Sequence, residues 1–145
     1  MQDGYILGLT ILRVGMGVFF SISGYHKLFN PVRHATVAQT MVDDHIPEPT
    51  FNSWFVPMAE FLGGIALLWG LFTPAAAFGL FIICCGATFT DGLKRIGGWK
   101  PLDKADYLDD LLYLPEVLYA LIMVVLVLAG GGPYSLDSLI FGGRS

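Results

Sequence analysis

Four apolar stretches take up most of this chain: about Tyr5 to Phe29, Trp54 to Phe72, Ala75 to Leu93 and Leu111 to Ala129. A helix needs on the order of 20 residues to cross a hydrocarbon core ~30 Å thick, and each stretch meets or approaches that length. Most of the charges fall between the stretches. Charged residues make up 14% of the sequence and hydrophobic ones 54%, with a mean hydropathy of +0.64. Soluble domains carry about 25% charged residues. The expected fold is all-α, an integral membrane four-helix bundle with the lipid bilayer as its solvent.

The connections sharpen this expectation. Only Thr73 and Pro74 separate the second and third stretches, which predicts a tight antiparallel hairpin. Pro74 suits the first turn of a helix, where its missing N–H costs nothing. Gly4 with Gly8, Ala59 with Gly63, Ala66 with Gly70 and Ala75 with Gly79 are spaced four apart. Such steps let helix backbones approach closely in lipid. The first stretch follows Met1-Gln2-Asp3 without a positive n-region, so it is expected to stay as a helix rather than be cleaved as a signal peptide.

Two long loops fall on one side of the membrane, Asn30 to Ser53 and Asp91 to Asp110. The run from Pro31 to Val42 reads as a short amphipathic segment lying in the interface. Trp99 and Tyr107 in the second loop are types enriched at the membrane boundary. Residues Ser135 to Phe141, after the helix-breaking Gly130-Gly131-Gly132-Pro133, read as one short surface turn. Lys27, Arg33, Lys94, Arg95, Lys100 and Lys104 lie on the long-loop side, against Arg144 opposite. The positive-inside rule then puts the long loops in the cytoplasm and both termini outside.

Three stretches carry an ionisable residue: Arg13, Glu60 and Glu116. Charge at the centre of a membrane helix costs roughly 2.5–3.5 kcal/mol on insertion scales, so it tends to be paired, inward-facing and useful. Glu60 and Glu116 enter from the long-loop side at similar depth, about 9 Å for Glu60 at 1.5 Å per residue. Tyr25, His26 and Lys27 close the first stretch on that side, and Asp91 closes the third. Arg13 is deeper, on a face shared with Gly17 and Gly24, and its length suits a reach toward Glu60. Pro115 before Glu116 frees the carbonyl of Leu111, a break tolerated in lipid where neighbours or water satisfy it. Glu60 and Glu116 are therefore the candidate proton carriers. Arg13, Tyr25, His26, Lys27 and Asp91 are the candidate ligand-binding groups. The same charges also suit a purely structural role, fixing the register of the helices.

No basic run suggests nucleic acid. Cys84 and Cys85, adjacent in an apolar stretch, offer neither a disulfide framework nor a metal-ligand spacing and read as packing residues.

Ile11-Leu12-Arg13-Val14-Gly15-Met16-Gly17-Val18-Phe19-Phe20, followed by Gly24-Tyr25-His26-Lys27-Leu28-Phe29, resembles the opening helix of the DoxX family. His45-Ile46-Pro47, and then the run from Glu60-Phe61-Leu62-Gly63-Gly64 to Trp69-Gly70-Leu71-Phe72-Thr73-Pro74, are similar to its second-helix signature, and Gly132-Pro133-Tyr134-Ser135-Leu136-Asp137 to its ending. The chain departs from the family at Pro74, where a basic residue is common. Cys84 and Cys85 do not match the aligned cysteine pair of some relatives. The resemblance implies a single four-helix domain over residues 1–145 in the plasma (inner) membrane of a bacterium. Some relatives are subunits of thiosulfate:quinone oxidoreductase, others serve membrane redox or thiol homeostasis, and eukaryotic ones are receptor-assembly chaperones.

Two readings follow. The first is a redox-associated subunit: a quinone needs an apolar slot and a few polar groups for its oxygens. No haem, flavin or iron–sulfur ligand set is visible, so electrons must come from a protein partner, and no activity is expected of the chain alone. The second is a non-catalytic assembly factor or structural subunit, itself compatible with a homo-oligomer. Transport is disfavoured because no inverted repeat is evident.

Overall fold

A computed structural model describes residues 2–92 and 115–141. Its helices are α1 (Gln2–Phe29), α2 (Pro31–Asp43), α3 (Pro49–Trp69), α4 (Thr73–Ala87), which runs into a π turn at Thr88–Gly92, α5 (Pro115–Ala129) and a short α6 (Leu136–Ile140). The remainder of the second long loop, with Trp99 and Tyr107, the start of the fourth stretch and the carbonyl of Leu111 lie outside the described residues.

Among the described residues three helices, α1, α3 and α4 with its π turn, are long and apolar enough to cross a membrane, and α5 is a shorter apolar helix of 15 residues. Within the most apolar window of the three, only 28%, 28% and 22% of residues are buried inside the protein. Leu7, Ile11, Ile22, Leu62 and Ile82 all face outward. Apolar surface of that extent needs a non-aqueous solvent.

Local chemistry sets the boundaries. α1 carries Asp3 in its first turn and His26 and Lys27 in its last, both favourable to the helix dipole. Asn30 ends it and starts α2: its side chain accepts the N–H groups of Val32 and Arg33 at 3.0 and 3.3 Å, with Pro31 next. α3 begins at Pro49, earlier than the apolar stretch, because helix-compatible residues precede Trp54. It ends at Gly70 with φ 70°, and the Leu71 N–H returns to the Ala66 carbonyl at 2.8 Å. Pro74 occupies the first turn of α4 as expected.

The four longest apolar helices share one core, including Met16, Phe20, Leu67, Leu80, Met123 and Leu126. α1 and α3 touch backbone to backbone. A Cβ on Gly17 would stand 2.5 Å from the Leu68 nitrogen, and one on Gly24 2.5 Å from that of Phe61. One on Gly64 would collide with the nitrogen of Ser21. The close approach is therefore made by Gly17, Gly24 and Gly64 and not by most of the expected four-residue steps. Gly4, Gly8 and Gly79 have nothing within 4 Å of a would-be Cβ, because they lie on outward faces. Spacing alone does not say which side of a helix meets a neighbour.

Candidate functional site

α1 and α3 run antiparallel at van der Waals contact, so the last turn of α1 comes to lie beside the first half of α3. There the Lys27 ammonium donates to both oxygens of Glu60, at 2.8 and 3.0 Å. The Glu60 side chain is 8% exposed and that of Lys27 32%, so the carboxylate is the inner member of the pair. Removing either partner would strand a charge that has lost its water, a costly state in a low-dielectric interior. Above this pair α2 folds back over the end of α1 and α3. The His34 ring sits 4.0 Å from that of Trp54, and its Nδ1 is 3.3 Å from the Lys27 carbonyl.

The other helices carry further polar groups. Cys84 lies on α4, and Glu116 stands in the first turn of α5 with Tyr119 about one turn further along. Cys84 is buried, consistent with a packing role. The Tyr119 ring stands 4.9 Å from Phe19 and 5.9 Å from Phe20. Besides the bonded Lys27–Glu60 pair, α4 supplies a thiol at Cys84, and α5 a carboxylate at Glu116 and a phenol at Tyr119 whose ring packs against α1. Such groups offer a cation at Lys27, a carboxylate acceptor at Glu60 and the Tyr119 O–H as a donor.

Not every candidate residue joins them. Tyr25 packs outward against Phe29 and Phe61 at 4.8 and 6.3 Å, and His26 beside it is exposed. Asp91 falls in the π turn after α4. The expected reach of Arg13 toward Glu60 does not occur. Arg13, 2% exposed, points the other way and donates to the carbonyls of Leu67 (2.6 Å), Leu68 (3.0 Å) and Tyr134 (2.8 Å). Those α3 carbonyls lie in the last turn of the helix, where backbone acceptors lack intrahelical donors and favour a cation.

Asp137, a residue that sequence reasoning misses, completes this second polar centre. Residues 135–141 form a short helix rather than a surface turn, N-capped by Ser135, with the Asp137 side chain turned inward. Its carboxylate accepts the N–H groups of Phe72 and Thr73 at 2.5 and 2.7 Å, and its own N–H donates to the Gly70 carbonyl at 2.9 Å. α4 has no side-chain cap of its own, and that missing cap is the available signal. Sequence reasoning also misses Tyr119, whose place three residues after Glu116 is the hint.

A family model described as DoxX matches residues 8–93, more than half the chain. The chain belongs to the DoxX family. The DoxX match spans α1 to α4 and so holds Arg13, Lys27 and Glu60, while Glu116, Tyr119 and Asp137 lie beyond it. No curated protein and no solved structure is significantly similar to it.

Proposed function

We propose that this DoxX protein is a four-helix bundle in the bacterial plasma membrane and works there as a redox-associated, quinone-linked subunit of a larger complex. The observation that carries the reading is the Lys27–Glu60 pair, bonded between two apolar helices with the carboxylate almost fully enclosed. The donor set fits a quinone. Lys27 and the Tyr119 hydroxyl are the donors for its carbonyl oxygens, and Phe19 and Phe20 give the apolar wall for its ring. The quinone supplies a two-electron acceptor, with electrons delivered by the partner protein. Glu60 and Glu116 pass the protons, and Lys27 positions the Glu60 carboxylate through its two hydrogen bonds. Charge distribution orients the long loops to the cytoplasm and the termini outward, with α2 lying in the interface.

The test begins with the complex extracted gently from its own membrane and analysed for bound isoprenoid quinone. Glu60→Gln and Glu116→Gln should each lower quinone reduction by about 10²-fold or more if they are the proton carriers. Unchanged reduction in both variants would remove them from that role.

One observation favours the assembly reading. Gly4, Gly8 and Gly15 line one outward face of α1, and Gly79 and Gly86 one face of α4, with nothing among the described residues within 4 Å of their would-be Cβ atoms. Small residues on a lipid-facing stripe suit close approach by a helix of another chain. Gly8→Leu is expected to abolish co-purification of such a partner without lowering the stability of the chain itself. Retention of the partner in that variant would count against the stripe as its contact.

A further inference from the structure

We infer that the Lys27–Glu60 cluster is served from one side of the membrane only, the side on which α1 ends and α3 begins, and that the segment 130–141 is the seal on the other. The inference rests on reading that cluster as the working site, and it adds the direction from which protons and ligand arrive.

Three observations carry it. First, the cluster opens toward one end. Lys27, at the last turn of α1, keeps about a third of its side chain accessible, while Glu60 behind it is almost fully enclosed. Second, the core beyond Glu60 is apolar. From Glu60 to the carbonyls held by Arg13 is seven residues of helix, about 10 Å at 1.5 Å per residue. Met16, Phe20, Leu67, Leu80, Met123 and Leu126 fill that layer from all four helices, each at most 8% exposed. A proton or solute crossing the layer would find no hydrogen-bonding side chain among those six, and the nearby Ser21 hydroxyl already donates to the Gly17 carbonyl at 2.6 Å.

Third, the far end is closed by polar bonds and not merely covered. Gly131, Ser135 and Asp137 are buried against the α3–α4 turn, and Gly132 is buried beside Leu9 of α1. Arg13 holds the segment through the Tyr134 carbonyl, and Asp137 holds the turn through the N–H groups of Phe72 and Thr73. Ser135 fixes the cap internally, donating to the Gly132 carbonyl at 2.6 Å and accepting the Ser138 N–H at 3.2 Å. Thr73, beneath this cap, is 0% exposed. A chain sealed in this way can exchange protons and bind ligand at one surface, with no second mouth among the described residues through which to pass them on.

Cysteine accessibility tests this directly. In a chain with Cys84 and Cys85 replaced by Ala, single cysteines are placed at Lys27 and, separately, at Thr73. Each chain is treated with a membrane-impermeant maleimide in right-side-out and in inverted vesicles. Lys27→Cys should react in one orientation only and Thr73→Cys in neither. Adding Asp137→Asn should raise the Thr73→Cys rate by about tenfold or more, in the orientation opposite to that of Lys27→Cys, because local opening sets the labelling of a buried site. Comparable labelling of Lys27→Cys in both orientations would overturn the inference. So would reaction of Thr73→Cys beneath an intact cap, or an unchanged rate with Asp137→Asn. Bound quinone, measured on the unsubstituted chain, separates the two ideas. One-sided labelling without quinone retires the quinone reading and leaves the sidedness standing, and two-sided labelling with quinone does the reverse.

Discussion

Arg13→Met is expected to cost about 3–5 kcal/mol of stability, the range seen when one member of a buried charged network is removed. Arg13 is almost wholly buried and joins three elements that are far apart in sequence: α1, the last turn of α3, and the segment before α6. Methionine keeps the bulk and the apolar stem but offers no donor. The carbonyls of Leu68 and Tyr134 then lose the Arg13 donor, the Leu67 carbonyl keeps only the Gly70 N–H, and Asp137 loses the nearby positive charge. Against a total stability of about 5–15 kcal/mol for an ordinary domain, that loss decides whether the chain stays folded in detergent. Arg13→Lys should fall between the two, because an ammonium carries the charge but not the planar fork that serves several carbonyls at once. Denaturant titration of the purified protein in micelles, followed by tryptophan fluorescence, would order the three chains. Equal midpoints for the native chain and Arg13→Met would show that Arg13 is not the joint described.

Gly64→Val should disrupt the protein by a different route. The Gly64 position faces the backbone nitrogen and the Oγ of Ser21, the latter 2.7 Å from a would-be Cβ, with the Gly17 carbonyl 2.9 Å away. Backbone cannot swing aside as a flexible side chain does, so α1 and α3 must separate. The cost is expected at the upper end of the roughly 1–3 kcal/mol typical of overpacking, and the Lys27–Glu60 pair should break with it, since the same helix contact sets its geometry. Gly15→Val on the outward face of α1, where nothing lies within 4 Å, is the control and should leave the midpoint unchanged. A midpoint for Gly64→Val matching that control would mean the two helices are not in backbone contact.

Much of this architecture is legible in the sequence. Lipid solvent imposes long apolar runs, so α1, α3 and α4 announce themselves by length, and Pro31, Pro49 and Pro74 each mark a first helical turn. Depth is legible too: counting residues inward brings Glu60 to the level reached by the end of α1. What counting does not give is direction around the helix axis. Arg13 and Lys27 both lie on α1 within reach of α3, and the sequence offers Arg13 as the partner of Glu60. The structure gives Glu60 to Lys27 and turns Arg13 to the last turn of α3. The same blindness ranks Gly4, Gly8 and Gly79 with Gly63 and Gly70 as close-packing positions, although only the last two meet a neighbour, and leaves Gly17, Gly24 and Gly64 out of that set. Asp137 is hidden for another reason: a short polar segment after a glycine run looks like surface until the uncapped N–H groups of Phe72 and Thr73 are seen to need an acceptor.

The bond from Arg13 to the Tyr134 carbonyl spans 121 residues of sequence, and that span is also an interval of time. At roughly 5–20 residues per second on the ribosome, Arg13 is made about 6–24 s before the carbonyl it will hold. For that period a bare guanidinium has to be carried into, or kept waiting at the edge of, a bilayer in which its presence is unfavourable by several kcal/mol. A helper that shelters the first helix, or a protease that surveys unfinished membrane chains, would meet this protein during those seconds. Biogenesis, more than the finished fold, is then the stage at which a change at position 13 or 137 would first be felt.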